Sequence, residues 1–449
     1  MATQKVNFPE PGPACSSRLE AAKQREKELA RMLMAYIGTG IAFMLLPGTF
    51  LGVWNLLSIS TRQAPSSVSS AWIQAHGQAQ VFGWIGTFIL GIGFYSIPKM
   101  RHARRFALRE AWLCWTMWTA GVLLRWIAGV LQWHWRSLLP LSAVLQLLAF
   151  VIFFRAVSSH RPAGAAAGVE TKLERWILVV ITASIGLFAT LTVNLAGTIS
   201  VALKASSPAF GESFDQRFLV LMAWGFMVPF IWGFSARWLP TFLGLRPAWE
   251  SGLLLMVAAD LAGVALAWAG LFRTAVILLL AAAVISLLAL KVILPAIRPA
   301  KIQGVHGSFP YFVRLAYAWL IIAALLGVWA AFAHDAEGIW GASRHALTVG
   351  FVATMVFAIG QRVLPAFSGM RLLYSTRLMG LALSLLSAGC LLRVSCELLA
   401  YREIVPSAWK WLPASAVIEL TAVTLFAANM IATFLTKPPS ARLTQIQLK

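Results

Sequence analysis

Acidic residues are scarce in this chain. Only 16 of its 449 residues are Asp or Glu, and charged residues of both signs make up 12%, about half the share usual in soluble domains. That scarcity excludes an ordinary soluble globular protein. Cysteine is scarcer still: there are four, none in a Cys-x-x-Cys pair, so cysteine says little about function. Cys114, Cys390 and Cys396 fall in apolar runs and read as small core residues, while Cys15 falls near the amino terminus. The chain has no phosphate-cradling glycine loop followed by Lys and Ser or Thr, no His-Glu-x-x-His, and no nucleophile elbow with a partner set. The first 31 residues, with Pro9 to Pro13 followed by Arg18 to Arg31, lack the short apolar core and cleavage site of a secretory signal.

What the chain has is apolar surface. Hydrophobic residues make up 59% and tryptophans number 20, more than one soluble core can hide. Runs long enough to cross about 30 Å of hydrocarbon can be marked at roughly 32–57, 73–98, 111–133, 137–158, 176–203 and 216–240. Six more follow at roughly 248–270, 272–296, 310–333, 343–365, 374–399 and 408–436. Lipid offers no water to open backbone groups, and the runs are too long for barrel strands, so they are helices. The expected fold is an all-α membrane protein of twelve transmembrane helices. A tail over 1–31, a membrane domain over 32–436 and a short tail over 437–449 complete the organisation. Trp112, Trp115, Trp118, Trp133 and Trp135 read as interfacial belts and bulky packing.

The net charge of +21 points to orientation rather than to nucleic acid. With the amino terminus cytoplasmic, 27 of the 37 lysines and arginines lie in the tails and the loops after even-numbered helices, against 8 on the opposite side and two within helices. That positive-inside bias places both termini in the cytoplasm of a bacterial-type inner membrane. Clusters such as Lys99 to Arg105 then act as topology determinants and contacts for anionic lipid, and the first partner is the bilayer itself.

Three segments repeat one pattern. Gly83 leads to Pro98, Gly225 to Pro240 and Gly350 to Pro365, each over fifteen residues. A small residue recurs eight positions on (Gly91, Gly233, Ala358) and another two further (Gly93, Ser235, Gly360). An aliphatic residue precedes each proline (Ile97, Leu239, Leu364). The chain therefore reads as three pseudo-symmetric four-helix units, about 32–158, 176–296 and 310–436, with the linkers Ser159 to Gly168 and Pro295 to Gly307 near the joins.

Seven histidines are present. His102, His160 and His306 fall in basic loops and read as solvated, and His134 and His334 fall at outer helix ends. Only His76 and His345 begin repeat helices from inside the apolar span, at minus seven and minus five from the repeat glycine. That is a difference of about 3 Å along the axis. Neutral imidazole is a common metal ligand, and an ionisable group inside a span is costly enough to be functional by default. A histidine in a span also serves by bonding a neighbouring helix, but two in matching places favour joint ligation of one iron from opposite sides. Gly77, Gly83 and Gly86 would let a flat macrocycle approach the backbone.

The runs Ala75-His-Gly-Gln-Ala-Gln-Val-Phe-Gly83 and His345-Ala-Leu-Thr-Val-Gly350 resemble the two histidine-bearing helices of the NnrS family, a distant relative of the haem-copper oxidase catalytic subunit. The resemblance implies that His76 and His345, on the second and tenth helices, ligate a low-spin b-type haem near the outer face. It implies electron transfer, or the handling of a diatomic gas such as nitric oxide, beside other respiratory-chain subunits or a redox donor protein. The chain also departs from its relatives. The sixth and seventh helices, where an oxidase places copper ligands, contain no histidine, and Ser343 stands where an oxidase carries the ligand of its oxygen-reacting haem. Copper is therefore not expected. Gln78, Ala79 and the Ala366-Phe-Ser-Gly369 segment depart from the NnrS motifs, which weakens the carry-over of nitric oxide chemistry.

Arg125, Asp260, Arg393, Glu397 and Glu419 fall inside spans and should face the interior. Arg393 and Glu397 share a helix face and pair. Arg125 either approaches a haem propionate or pairs with Asp260, and Arg344 and Arg402 are the other propionate candidates. Two competing classes remain open, a multi-pass transporter and a cofactor-free structural subunit. Repeat prolines at helix ends rather than at mid-membrane weigh against transport, and pigment content separates a haem protein from a bare scaffold.

Overall fold

A computed structural model describes residues 13–100, 106–158, 174–336 and 338–436. The tails up to residue 12 and from 437, His102, His160 and the linker Ser159 to Gly168 lie outside them. The described residues contain no strand and hold twelve helices long and apolar enough to cross a membrane. These are α1 (Glu20–Arg62), α2 (Ser70–Met100), α3 (Leu108–Val130), α4 (Trp135–Ser158), α5 (Arg175–Lys204) and α6 (Glu212–Leu243). The second half holds α7 (Glu250–Trp268), α8 (Phe272–Leu290), α9 (Phe309–Phe332), α10 (Ile339–Phe367), α11 (Thr376–Tyr401) and α12 (Ala408–Leu435). The protein is a multi-pass membrane protein, and side chains such as Leu148, Phe188, Ile277 and Leu325 form its exposed apolar belt.

The helix of α1 begins at Pro13, well before its apolar stretch. Its polar extension is tied down at the far end of α2: Lys99 Nζ lies 2.6 Å from Glu26 Oε1, the Tyr95 hydroxyl donates to the same oxygen at 2.6 Å, and Arg25 donates to the Phe106 carbonyl at 2.7 Å. Arg371, after α10, donates to the Thr436 carbonyl at the end of α12. The start of α1 and the end of α12 therefore share one face of the bundle. His76 and His345, near the starts of α2 and α10, lie toward the opposite face.

The threefold pattern has physical counterparts. In each unit the third and fourth helices (α3 with α4, α7 with α8, α11 with α12) form an extensively packed hairpin. The second helices occupy the middle: 78%, 67% and 72% of the residues in the apolar stretches of α2, α6 and α10 are buried, against at most 56% in any other helix. Each also widens into a π-helical stretch at the repeat glycine, over Ala79–Gly86, Leu221–Met227 and Ala346–Ala353. Such turns free backbone carbonyls and concentrate at functional sites. In α2 the Thr87 hydroxyl takes up the Gly83 carbonyl at 2.6 Å, and the Trp118 indole takes up that of Phe82 at 3.0 Å. In α10 Thr354 donates to the Val349 carbonyl at 3.2 Å. Thr87 and Thr354 both stand four residues after the repeat glycine, and in α6 that place is Pro229, which has no N–H to leave unpaired.

The three central helices meet through aromatic pairs, Phe82 with Phe226 at 6.5 Å and Trp84 with Phe357 at 6.2 Å. Beyond these pairs, away from the histidines, they line a partly open apolar cavity of about 120 Å³ bordered by Ile85, Ile92, Phe230, Ser235, Met355 and Ile359, among others. Contact between α5 and α6 depends on backbone against backbone, because a Cβ on Gly186 would overlap the Gly225 carbonyl. Gly186→Val should therefore lower stability by about 1–3 kcal/mol, the usual cost of overpacking. A thermal melt of the purified protein reads this directly, and an unchanged midpoint would contradict the close approach.

Candidate functional site

His76 Nδ1 lies 2.9 Å from the carbonyl oxygen of Gly48. That carbonyl belongs to a further π-helical stretch, Met44–Phe50, which contains Pro47. Gly52, one turn on, lets the ring lie against α1: a Cβ there would stand 2.6 Å from His76 Cε1, closer than real contacts allow. Gln80 continues the join by donating to the Thr49 hydroxyl at 2.9 Å. His345 Nδ1 lies 2.9 Å from the Gly341 carbonyl, one turn earlier in α10, and 3.1 Å from Glu397 Oε2 of α11. Carbonyl and carboxylate oxygens only accept, so the proton of each neutral ring sits on Nδ1 and the lone pair on Nε2.

The two imidazoles lie close enough for their charges to interact. The His345 side chain keeps 27% of its surface accessible although α10 is a central helix, so it borders open space rather than packed side chains. Gly77 likewise faces no atom within 4 Å. Two rings with fixed Nδ1–H groups, free Nε2 lone pairs and adjoining space form a donor set that suits axial ligation of a haem.

The site is flanked by ionisable groups. Glu397 Oε2 also lies 3.3 Å from Arg393 Nε, so the pairing expected from their spacing is present. Glu419 of α12 is within charge range of His345, Arg393 and Glu397. Arg344 donates to Gln216 Oε1 at the start of α6 and shares Asp215 as a charge neighbour with Arg125. Arg125 is 3% exposed, lies 4.8 Å from the Phe210 ring centroid, and has Nη1 without a hydrogen-bond partner among the described residues. The α5–α6 loop that carries Phe210 is clamped over α2 by Gln74, which donates to the Phe210 carbonyl at 3.0 Å and accepts its N–H at 2.8 Å. Arg402 sits elsewhere, donating to the Asp335 carbonyl at 3.2 Å with its guanidinium 5.3 Å from the Trp329 ring centroid. The structure thus brings Arg125 and Arg344 together and keeps Arg402 at the rim.

Several expectations need correction. Arg125 faces Asp215 rather than Asp260, whose two carboxylate oxygens have no hydrogen-bond partner among the described residues. The ground beside Gly83 and Gly86 is filled by Phe43, Val122 and Trp118, so these glycines serve helix packing and not a macrocycle. His306 is not a solvated loop residue: its N–H donates to Gln361 Oε1 at 2.9 Å and its ring packs on Gly380. Asp215, Gly48 and Gly52 went unnoticed in the sequence. Asp215 sits at the border of an apolar run, and nothing local marks a glycine that faces another helix.

A family described as "Domain of unknown function (DUF8744)" matches residues 189–435, more than half of the chain. The chain belongs to this family. The matched part runs from α5 through α12 and so contains His345, Arg393, Glu397 and Glu419 but not His76. No curated protein matches. Among solved structures, a haem-copper terminal oxidase dimer resembles the chain with a TM-score of 0.71 at 13% identity, over 91% of this chain and 84% of that one. At that identity the likeness establishes the fold, which is haem-copper oxidase-like.

Proposed function

We propose that this is an integral membrane b-type haem protein in which Nε2 of His76 and Nε2 of His345 supply the two axial ligands, near the outer face of the membrane. The observation that carries this reading is the matched hydrogen bonding of two intramembrane imidazoles, each holding its Nδ1 proton on an acceptor and leaving Nε2 free. The haem, when bound, supplies one-electron exchange between ferric and ferrous iron. The chain's residues supply the setting. Gly48 and Gly341 orient the rings, Arg125 and Arg344 offer cations to the propionates, and the Phe210 loop limits water. Two strong ligands leave no open position on the iron, so electron relay is favoured over catalysis, with handling of a diatomic gas such as nitric oxide as the wider possibility of an NnrS-like protein. An oxidase copper site finds no support, since α6 and α7 contain no histidine. The positive-inside bias puts both termini in the cytoplasm, and a redox donor protein or respiratory subunit would meet the histidine face.

The test is a reduced-minus-oxidised optical spectrum of the purified protein, with haem quantified against protein. Sharp low-spin b-type bands are expected; a colourless preparation that does not take up added haem would leave only a structural scaffold. Gly52→Ala probes the support of His76 without touching a ligand. The added methyl group should push the ring off its place and weaken haem retention about 10- to 100-fold, as loss of an outer-shell contact usually does. Titration with limiting haem measures this, and wild-type retention would show that Gly52 does not position the ring.

A further inference from the structure

We propose that Glu397 is a positioning residue whose carboxylate, lying beside Nδ1 of His345 as an ion-pair neighbour, makes that imidazole the stronger of two unequal axial donors. This inference rests on the haem reading above and extends it to the redox balance of the site. His76 Nδ1 has a neutral acceptor, the Gly48 carbonyl. His345 has a carbonyl and, 3.1 Å away, the Glu397 carboxylate. The carboxylate stands beside Nδ1 as a charge neighbour, while the Gly341 carbonyl takes the hydrogen bond. A negative charge that close favours positive charge on the ring more than an amide carbonyl does, which makes Nε2 the better donor and favours ferric iron over ferrous.

The surroundings show that the contact is built rather than incidental. Glu397 is 4% exposed and is held from its own helix by Arg393. Its carboxylate reaches across α10 only because residue 341 is glycine: a Cβ there would collide with Glu397 Oε1. Gly338, at φ 76°, in turn lets Tyr401 and the Glu397 backbone close in on the start of α10. Glu419, from α12, adds a second carboxylate within charge range of the same imidazole. Among the described residues, the groups acting on His76 are the Gly48 carbonyl, His345 and Arg393, none of them an acid.

The experiment is an optical redox titration of the haem-loaded full-length protein, with haem content measured in parallel. Glu397→Gln keeps the shape and an acceptor oxygen but removes the charge. It should retain the low-spin bands while the ferric-to-ferrous ratio at a fixed ambient potential falls about tenfold, equivalent to about 59 mV for a one-electron couple. Glu397→Asp, which keeps the charge, should stay within about threefold of wild type. The double variant Glu397→Gln with Arg393→Met removes the orphaned cation as well, guards against a folding defect, and should show the same direction of change. A loaded Glu397→Gln or double variant that titrates like wild type overturns this inference and leaves the haem reading intact. Wild-type protein that cannot be loaded, or bands that survive His345→Ala, overturns the haem reading and this inference with it.

Discussion

His76→Ala and His345→Ala should each abolish the six-coordinate low-spin spectrum, with at least a tenfold loss of haem retained through purification. The size of the effect follows from geometry. Each imidazole is fixed at Nδ1, by the Gly48 carbonyl in one case and the Gly341 carbonyl in the other, so its Nε2 is held in place before any ligand arrives and neighbouring side chains cannot substitute for it. Added imidazole should restore part of the spectrum in either variant, because the space vacated by the ring admits it. His306→Ala is the natural comparison: its ring packs on Gly380 near the opposite face, and its loss should leave the bands unchanged. Unaltered bands in either His76→Ala or His345→Ala would remove that residue from the ligand set.

Arg393→Met should be among the most damaging single changes to stability. Arg393 is 9% exposed and its Nε lies 3.3 Å from a Glu397 carboxylate that is itself 4% exposed. Removing the cation leaves Glu397 buried beside Glu419 without its main compensating charge. Breaking a buried ion pair from one side costs about 3–5 kcal/mol. Removing both members at once, as Arg393→Met with Glu397→Met, should recover most of that loss, since an apolar pair of similar volume is often neutral or better. Thermal melts in one detergent compare the three proteins, and a single variant as stable as wild type would show that the pair contributes no net stabilisation.

Much of the fold was readable because lipid simplifies the problem. Apolar length marked all twelve spans, and the structure differs mainly at the ends, where polar side chains such as Glu26 and Lys99 extend helices beyond the hydrocarbon. The repeat glycines were legible for a related reason, since they sit where three helices widen at the centre of the bundle. The partners of the charges were not legible. Arg125 finds Asp215 rather than Asp260, and Gly52 backs the His76 ring, because lateral helix packing sets these contacts and leaves no periodic trace.

The wide π-helical stretches at Ala79–Gly86 and Ala346–Ala353 begin just after each histidine and run into the cavity-lining segment of the same helix. They act as slack in the winding. Removing one residue from either stretch would tighten it toward ordinary α-helical winding, which takes up the loss, so the histidine-bearing end and the far end of the helix would keep nearly the same relative aim. A change of one residue in length at these points is therefore absorbed locally instead of turning the rest of the helix.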